Sequence, residues 1–250
     1  MLTVVSISIL GLFVGSFLSV VIFRFPDLKS ITMGRSACPK CRKKINNYDL
    51  IPLVSYIVLL GKCRNCREKI SIIYPVIELF TGTMFFLLAL SINGAAMLVP
   101  YLVLGALSVF IFFYDAKYLE ISEIFLWLLL LISIIIPIFS GNSINDVLFG
   151  GLIGGGILGI MVGISNEKWM GSGDIFIGLA YGLLLGIQKS ILFLFLAFVI
   201  GALYGMILIA IKGKNIKSEV PFAPFLIIAG VIALVWGGKL VNFYLNFAII

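Results

Sequence analysis

Apolar residues along this chain come in long unbroken runs separated by short polar stretches. The strict alternation of a half-buried strand is missing, and so is the narrow apolar stripe of a surface helix. Windows of about 20 apolar residues mark membrane-crossing helices. They predict helices over 2–23, 72–92, 97–114, 121–139, 147–165, 174–188, 190–211 and 222–249. The sixth is short, and Gly237-Gly238-Lys239 predicts a break in the eighth. The first run does not read as a cleavable leader, because no basic region precedes it and Gly15-Ser16-Phe17-Leu18 continues into more apolar sequence. The predicted fold is an all-α polytopic membrane protein of about eight transmembrane helices, with a small polar loop after the first helix.

Composition agrees with that pattern. Of 250 residues, 62% are hydrophobic and 12% charged, and the mean hydropathy is +1.21. A bilayer can solvate that much apolar surface; a water-soluble fold of this size cannot hide it. Nothing resembles a separate soluble domain or a disordered tail.

Charge orients the helices. Between Arg24 and Lys69 stand eleven Lys/Arg and three acidic residues, which makes this loop cytoplasmic by the positive-inside rule and puts the N-terminus outside. Threading the later helices places Lys117, Lys168, Lys212, Lys214 and Lys217 on the cytoplasmic side too. Only Lys189 and Lys239 fall outside, so sixteen of eighteen positive residues obey one assignment.

Two carboxylates stand out against this background. Asp115 and Asp174 sit at the edges of apolar segments, on the cytoplasmic side of the predicted topology, and Asp174 closes Gly171-Ser172-Gly173-Asp174. Carboxylates are costly near hydrocarbon, so two retained in a chain this apolar point to a function. An aspartyl dyad shares one proton between two carboxyl groups and can activate a water for hydrolysis. The competing readings are helix caps at the interface and ion ligands in a transporter.

Glycine spacing bears on where Asp174 points. Gly151, Gly155, Gly159 and Gly163 recur every four residues, as do Gly178, Gly182 and Gly186, with Asp174 one step earlier in that register. Four-residue spacing aligns side chains on one helix face, and small residues let helix backbones approach closely. This predicts a packed seam into which Asp174 faces.

The basic loop holds all four cysteines, as Cys38-Pro39-Lys40-Cys41 and Cys63-Arg64-Asn65-Cys66. Two CxxC knuckles suit tetrahedral zinc, and a site of four thiolates has no open position, so that metal is structural. Disulfides are the alternative, disfavoured by a reducing cytoplasm. The chain contains no histidine, which excludes His-ligated metalloproteases and Ser/Cys–His hydrolases.

Taken in order, these residues resemble the type IV prepilin peptidases, members of the GxGD aspartyl proteases. The first-helix block is Gly15-Ser16-Phe17-Leu18-Ser19-Val20-Val21-Ile22, followed by Arg24 and Pro26. The double CxxC comes next, with Ile51-Pro52-Leu53-Val54-Ser55-Tyr56 between the pairs, then Ile70-Ser71 and Tyr74-Pro75-Val76-Ile77-Glu78. Asp115-Ala116-Lys117, the GxGD block and Pro221-Phe222-Ala223-Pro224-Phe225 complete the set. The chain departs from the family pattern at Ser19, at Leu50, at Ile121-Ser122-Glu123 and at Phe176.

The resemblance implies a bifunctional enzyme. It would cleave the basic leader of prepilins or pseudopilins at the cytoplasmic face of the bacterial plasma membrane, then N-methylate the new terminus from S-adenosylmethionine. It makes Asp115 and Asp174 catalytic, with Gly171, Gly173 and Lys117 positioning substrate or backbone. Gly15 and Glu78 belong to the methyltransferase region, where Glu78 could equally pair with a loop arginine. Cys38, Cys41, Cys63 and Cys66 hold structural zinc. Residues 1–96 form the methyltransferase-associated part and 97–250 a six-helix peptidase domain. Membrane lipid is the other expected partner, and no nucleic acid is implied. A presenilin-like intramembrane protease and an ion-coupled transporter use the same two aspartates and remain the rival functions.

Overall fold

The computed structural model describes residues 1–25, 37–212 and 220–248. Pro26, Lys214 and Lys217, and the end of the eighth predicted helix at 249, lie outside them. The chain divides into two compact units, Met1–Gly94 and Ala95–Ile250.

In the first unit, α1 (Leu2–Arg24) packs along α3 (Ile73–Ser91), and the loop between them carries a 3-10 turn (Asn47–Leu50) and the short helix α2 (Val54–Val58). Small residues bring the two long helices together. A Cβ at Gly15 would stand 2.8 Å from the Glu78 Cα, and one at Gly11 2.8 Å from the Phe85 Cβ. Ser8 donates a hydrogen bond to the Gly82 carbonyl at 3.1 Å, so the helix–helix contact is polar as well as close.

The second unit comprises α4 (Ala95–Tyr118), α5 (Glu123–Ser140), α6 (Ile144–Ser165), α7 (Ser172–Lys212) and α8 (Ala223–Ala248). The most extensive pairing is α6 with α7, and α7 also touches α5 and α8. The α7 segment is 41 residues long. A straight helix of that length would span ~60 Å, twice a bilayer's hydrocarbon core.

It does not run straight. Gly186 has φ 73° and ψ −179°, and the Tyr181 and Phe193 rings stack with centroids 5.6 Å apart. Twelve residues along a straight helix would separate them by ~18 Å. The chain therefore reverses at Gly186, and α7 is a hairpin of two helices. Among the described residues, seven apolar helices of membrane-spanning length thus supply eight crossings, the number the apolar runs predict.

The reversal has its own polar support. Asp146, in the first turn of α6, accepts a hydrogen bond from the Ile187 amide at 2.9 Å and caps the second arm of the hairpin. Ser190 donates to the Gly186 carbonyl at 2.6 Å. A Cβ on Gly186 would collide with the Asp146 carboxylate, and its positive φ is one that L side chains rarely adopt.

Two sequence expectations change here. The glycine seam uses Gly150 and Gly154 of α6, whose Cα positions face the backbone carbonyls of Gly182 and Gly178. Gly151 and Gly155 meet Leu183 and Leu179 side chains, Gly159 reaches only Ile175, and Gly163 faces open space. Of the expected glycines, Gly178, Gly182 and Gly186 and the first two of α6, Gly151 and Gly155, do lie in the seam, with the closest backbone contacts coming from the neighbouring Gly150 and Gly154, while Gly159 and Gly163 lie beyond it. Nor does the eighth helix break at Gly237-Gly238-Lys239, since α8 is continuous from Ala223 to Ala248. Glycine costs a helix ~1 kcal/mol, whereas an unmade backbone hydrogen bond in hydrocarbon costs several, so the helix persists.

These contacts make the two glycine registers experimentally separable. Gly154→Val should lower the thermal midpoint of the detergent-solubilised protein, an overpacking cost of about 1–3 kcal/mol. Gly163→Val should leave the midpoint within error. Equal midpoints for the two variants would contradict the seam described.

Candidate active site and cysteine cluster

Three helix ends converge around two carboxyl groups in the second unit. Asp115 lies in the last turn of α4, beyond the end at 114 that the apolar run predicts, and Asp174 lies in the first turn of α7 as expected. Their residues are 6% and 4% exposed. The groups are close enough for the charge of Asp115 to act on Asp174, and the backbone amides of Ala223 and Gly171 stand beside Asp115 and Asp174 respectively. Asp115 Oδ2 and Asp174 Oδ1 are buried and have no hydrogen-bond partner among the described residues. Buried polar atoms are rarely left without a partner, which sets these two carboxyl groups apart from nearly all the other buried polar side chains described.

Ala223 starts α8, so the positive end of that helix meets Asp115 as the start of α7 meets Asp174. The segment around it is clamped by aromatic rings. Phe222 packs on Phe198 at 5.4 Å and Phe225 on Tyr204 at 5.3 Å. The proline-aromatic block of the sequence is thus the device that aims the Ala223 amide. Sequence reasoning noted the block but missed the amide, because backbone donors carry no side-chain signal.

The neighbours of the aspartates behave differently from one another. Gly171 faces open space, whereas Gly173 packs under Ile121, whose Cδ1 would be 2.9 Å from an added Cβ. Lys117 turns to Tyr118, donating to its hydroxyl at 2.8 Å with the ammonium 4.5 Å from the ring centre.

In the first unit the four cysteines meet. All are free thiols, and their sulfurs lie within 4.8 Å of one another. A tetrahedral zinc with Zn–S of ~2.3 Å sets its sulfurs ~3.8 Å apart, and Cys38 and Cys66 stand at 3.7 Å. The two knuckles repeat one another. Backbone bridges join Ala37 to Lys44 and Lys62 to Lys69, and the positive-φ residues Arg42 and Arg67 turn each loop. Backbone amides of Cys41 and Lys40 lower the Cys38 pKa to about 6, and those of Cys66 and Asn65 lower that of Cys63. Cys66 goes the other way: against the Glu68 amide, burial and the neighbouring thiols of Cys63, Cys38 and Cys41 push it up to about 11, so the knuckle backbone favours the thiolate at the first cysteine of each pair. An ion pair between Lys40 and Glu68 links one knuckle to the other.

Behind the knuckles lies a cavity of about 390 Å³ whose lining includes Ser16, Asn46, Tyr56, Asn65, Tyr74 and Glu78. Glu78 is 8% exposed. Its Oε2 accepts a hydrogen bond from the Leu53 amide at 2.8 Å, and the Ser16 hydroxyl is a second partner. Leu53 has φ 58° and ψ −47°, a strained backbone that the carboxylate holds in place. Among the described residues, Arg64 of the loop pairs with Asp49, gripping its carboxylate through two nitrogens. Gly15 and Glu78 are brought together, Gly15 giving the clearance that α3 needs at Glu78.

Comparison with known proteins adds the following. The family model for the Bacterial Peptidase A24 N-terminal domain matches residues 9–92, and that for the Type IV leader peptidase family matches residues 101–206. A Prepilin leader peptidase/N-methyltransferase of Pseudomonas aeruginosa is 30% identical, covering 96% of this chain and 92% of that protein. Proteins of the same description from Bacillus subtilis and Stutzerimonas stutzeri are 29% and 31% identical, each over 96% of this chain and over 97% and 93% of their own lengths. No solved structure matches the chain.

The cysteine geometry makes a stoichiometric prediction. Elemental analysis of protein purified without chelator should find about one zinc per chain. Cys63→Ser should reduce this to a small fraction and expose the loop to proteolysis. Full zinc content in that variant would remove the four-cysteine site.

Proposed function

The chain belongs to the type IV leader peptidase family, and on that premise we propose that it removes the short basic leader of prepilins or pseudopilins by aspartyl-dyad hydrolysis and then N-methylates the exposed amino terminus. The observation that carries the first activity is the pair of buried carboxyl groups, each with an unpartnered oxygen, held at the ends of α4, α7 and α8.

The chemistry follows from that arrangement. Two carboxyl groups this close cannot both ionise readily, so the pair shares one proton. The ionised member takes a proton from a water, which attacks the scissile carbonyl; the protonated member donates to that carbonyl and later to the departing amine. The two titrate as a unit. Helix N-termini at Asp174 and Ala223 favour the negative charge of the dyad. Open space at Gly171 leaves room for a substrate backbone, while Gly173 supports the site through Ile121.

Topology supports the same substrate. With the N-terminus outside, the positive-inside assignment puts both aspartates at the cytoplasmic boundary of the bacterial plasma membrane. A prepilin's basic leader lies in the cytoplasm and its apolar helix in the bilayer, so the scissile bond comes to that boundary. A protease cutting inside a substrate's span would need its dyad deeper.

Methylation belongs to the first unit in this reading, residues 1–96, with 97–250 as the peptidase. The cavity beside Glu78 falls in the size range of small-molecule sites, and a buried carboxylate suits a cationic ligand, such as the sulfonium of S-adenosylmethionine or a new terminal ammonium. S-adenosylmethionine supplies the methyl group. Glu78, Asn46, Tyr56 and Tyr74 are the residues positioned to bind and orient the reactants. Cys38, Cys41, Cys63 and Cys66 would hold zinc, which braces the cavity wall and has no open coordination position.

Purified protein incubated with a prepilin and S-adenosylmethionine, with products weighed by mass spectrometry, tests both activities. Asp115→Asn and Asp174→Asn should each slow leader removal by ~10²–10⁴-fold. Unchanged cleavage in either would exclude the dyad. Glu78→Gln keeps an oxygen for the Leu53 amide but loses the charge. It should cut methyl transfer by ~tenfold or more while leaving leader removal within about twofold. Equal loss of both activities would show that Glu78 serves the fold and not methylation.

A further inference from the structure

Within a loop otherwise rich in lysine and arginine, residues 50–60 read Leu-Ile-Pro-Leu-Val-Ser-Tyr-Ile-Val-Leu-Leu. Neither proposed activity explains the outward face of this stretch. In α2, Val54, Ile57 and Val58 share one side by their three- and four-residue spacing, and they are 54%, 69% and 68% exposed. Leu60 just beyond is 81% exposed. Ser55, Tyr56 and Leu59 turn the other way and line the cavity.

The depth of this segment says what the exposed face meets. The Leu53 amide is hydrogen-bonded to Glu78, the sixth residue of α3, which lies ~7.5 Å along that helix from Ile73. On α1 the same level is that of Gly15, ~13 Å from Arg24 at the helix end. Both α1 and α3 are apolar helices of membrane-spanning length. The Glu78 side chain reaches back toward the start of α3, so α2 starts near the level at which its two flanking spans leave the hydrocarbon, and an outward apolar face there meets the edge of the acyl chains. Immediately after it the chain turns basic. Lys62 pairs through its backbone with Lys69, and Arg67 lies between them. All three are exposed and form no ion pair among the described residues, whereas Lys40 and Arg64 are paired with Glu68 and Asp49.

We propose that residues 51–60 are a lipid-inserted wedge. Ile51, Val54, Ile57, Val58 and Leu60 lie among the acyl chains of the surrounding bilayer, and Lys62, Arg67 and Lys69 engage the anionic headgroups above them. The apolar face and the cationic rim match the two layers of one leaflet in the right order. The wedge is independent of which reaction the chain catalyses.

Photocrosslinking of the full-length protein tests it. Ile57→p-benzoylphenylalanine would be reconstituted into phosphatidylethanolamine/phosphatidylglycerol vesicles, irradiated and weighed intact. Phe86, exposed on α3, and Asn65, exposed in the second knuckle, serve as sites for the same residue in parallel. Insertion predicts phospholipid adducts at position 57 comparable to those at 86 and ~tenfold above those at 65. Adducts at 57 no higher than at 65, with 86 still reacting, would overturn the wedge, as would crosslinking of 57 to protein in place of lipid. In the Ile57 probe protein, Lys62→Glu, Arg67→Glu and Lys69→Glu together should lower the phosphatidylglycerol share of adducts about twofold or more. An unchanged share, with position 86 reacting normally, would overturn the headgroup contact.

Discussion

The second unit depends on backbone-to-backbone contact between α6 and the first arm of the α7 hairpin. Gly150 and Gly154 lie against the carbonyls of Gly182 and Gly178 with no room for a side chain. In a bilayer, where lipid tails are as apolar as leucine, helices associate through such close packing and through polar contacts, not through apolar burial alone. Because α7 is held this closely, its N-terminus is held too, and Asp174 sits in that first turn. The same pairing brings Asp146 to the hairpin tip, where its carboxylate caps the second arm. One seam thus sets the aspartate at one end of the hairpin and the reversal at the other.

The reversal then places the second arm of α7 against α8, where aromatic contacts between Phe198 and Phe222 and between Tyr204 and Phe225 set the start of α8. That start supplies the Ala223 amide to Asp115. Three helix ends are needed to make the site, and each is located by packing some distance away. A substitution at the hairpin can therefore reach the two aspartates without touching them.

The first unit solves a different problem. Its loop has little apolar core of its own, so it is held by contacts of other kinds: four clustered thiols, the Lys40–Glu68 and Arg64–Asp49 ion pairs, and a carboxylate from within a membrane helix. Glu78 does two things at once in this arrangement. It pins the strained Leu53 backbone, and with it α2, to the membrane helix α3, and it presents a buried carboxyl group to the cavity. A residue fixed by its structural contact is well oriented for a chemical one. Exposed on both sides, the Lys40–Glu68 ion pair contributes little energy by itself, and a metal held by the four clustered thiols would be the stronger constraint.

What the sequence determined by itself was the class of structure and the inventory of chemistry. Eight apolar runs gave eight crossings, because a chain in hydrocarbon must satisfy its backbone within each helix and so betrays each crossing by length and composition alone. The spacing of the CxxC pairs told of a four-sulfur cluster because knuckle geometry is local. Two aspartates stood out because unpaired charge is expensive in that setting. Tertiary structure decided what depends on which surfaces meet. Glycines four apart occur in two adjacent registers on α6, and only the packed helices reveal that Gly150 and Gly154 are in contact while Gly163 is not. The partners of Glu78 and the Ala223 amide beside Asp115 come from residues distant in sequence and, in part, from backbone groups that every residue possesses. Such contacts leave no mark on residue type, so only the folded chain can disclose them.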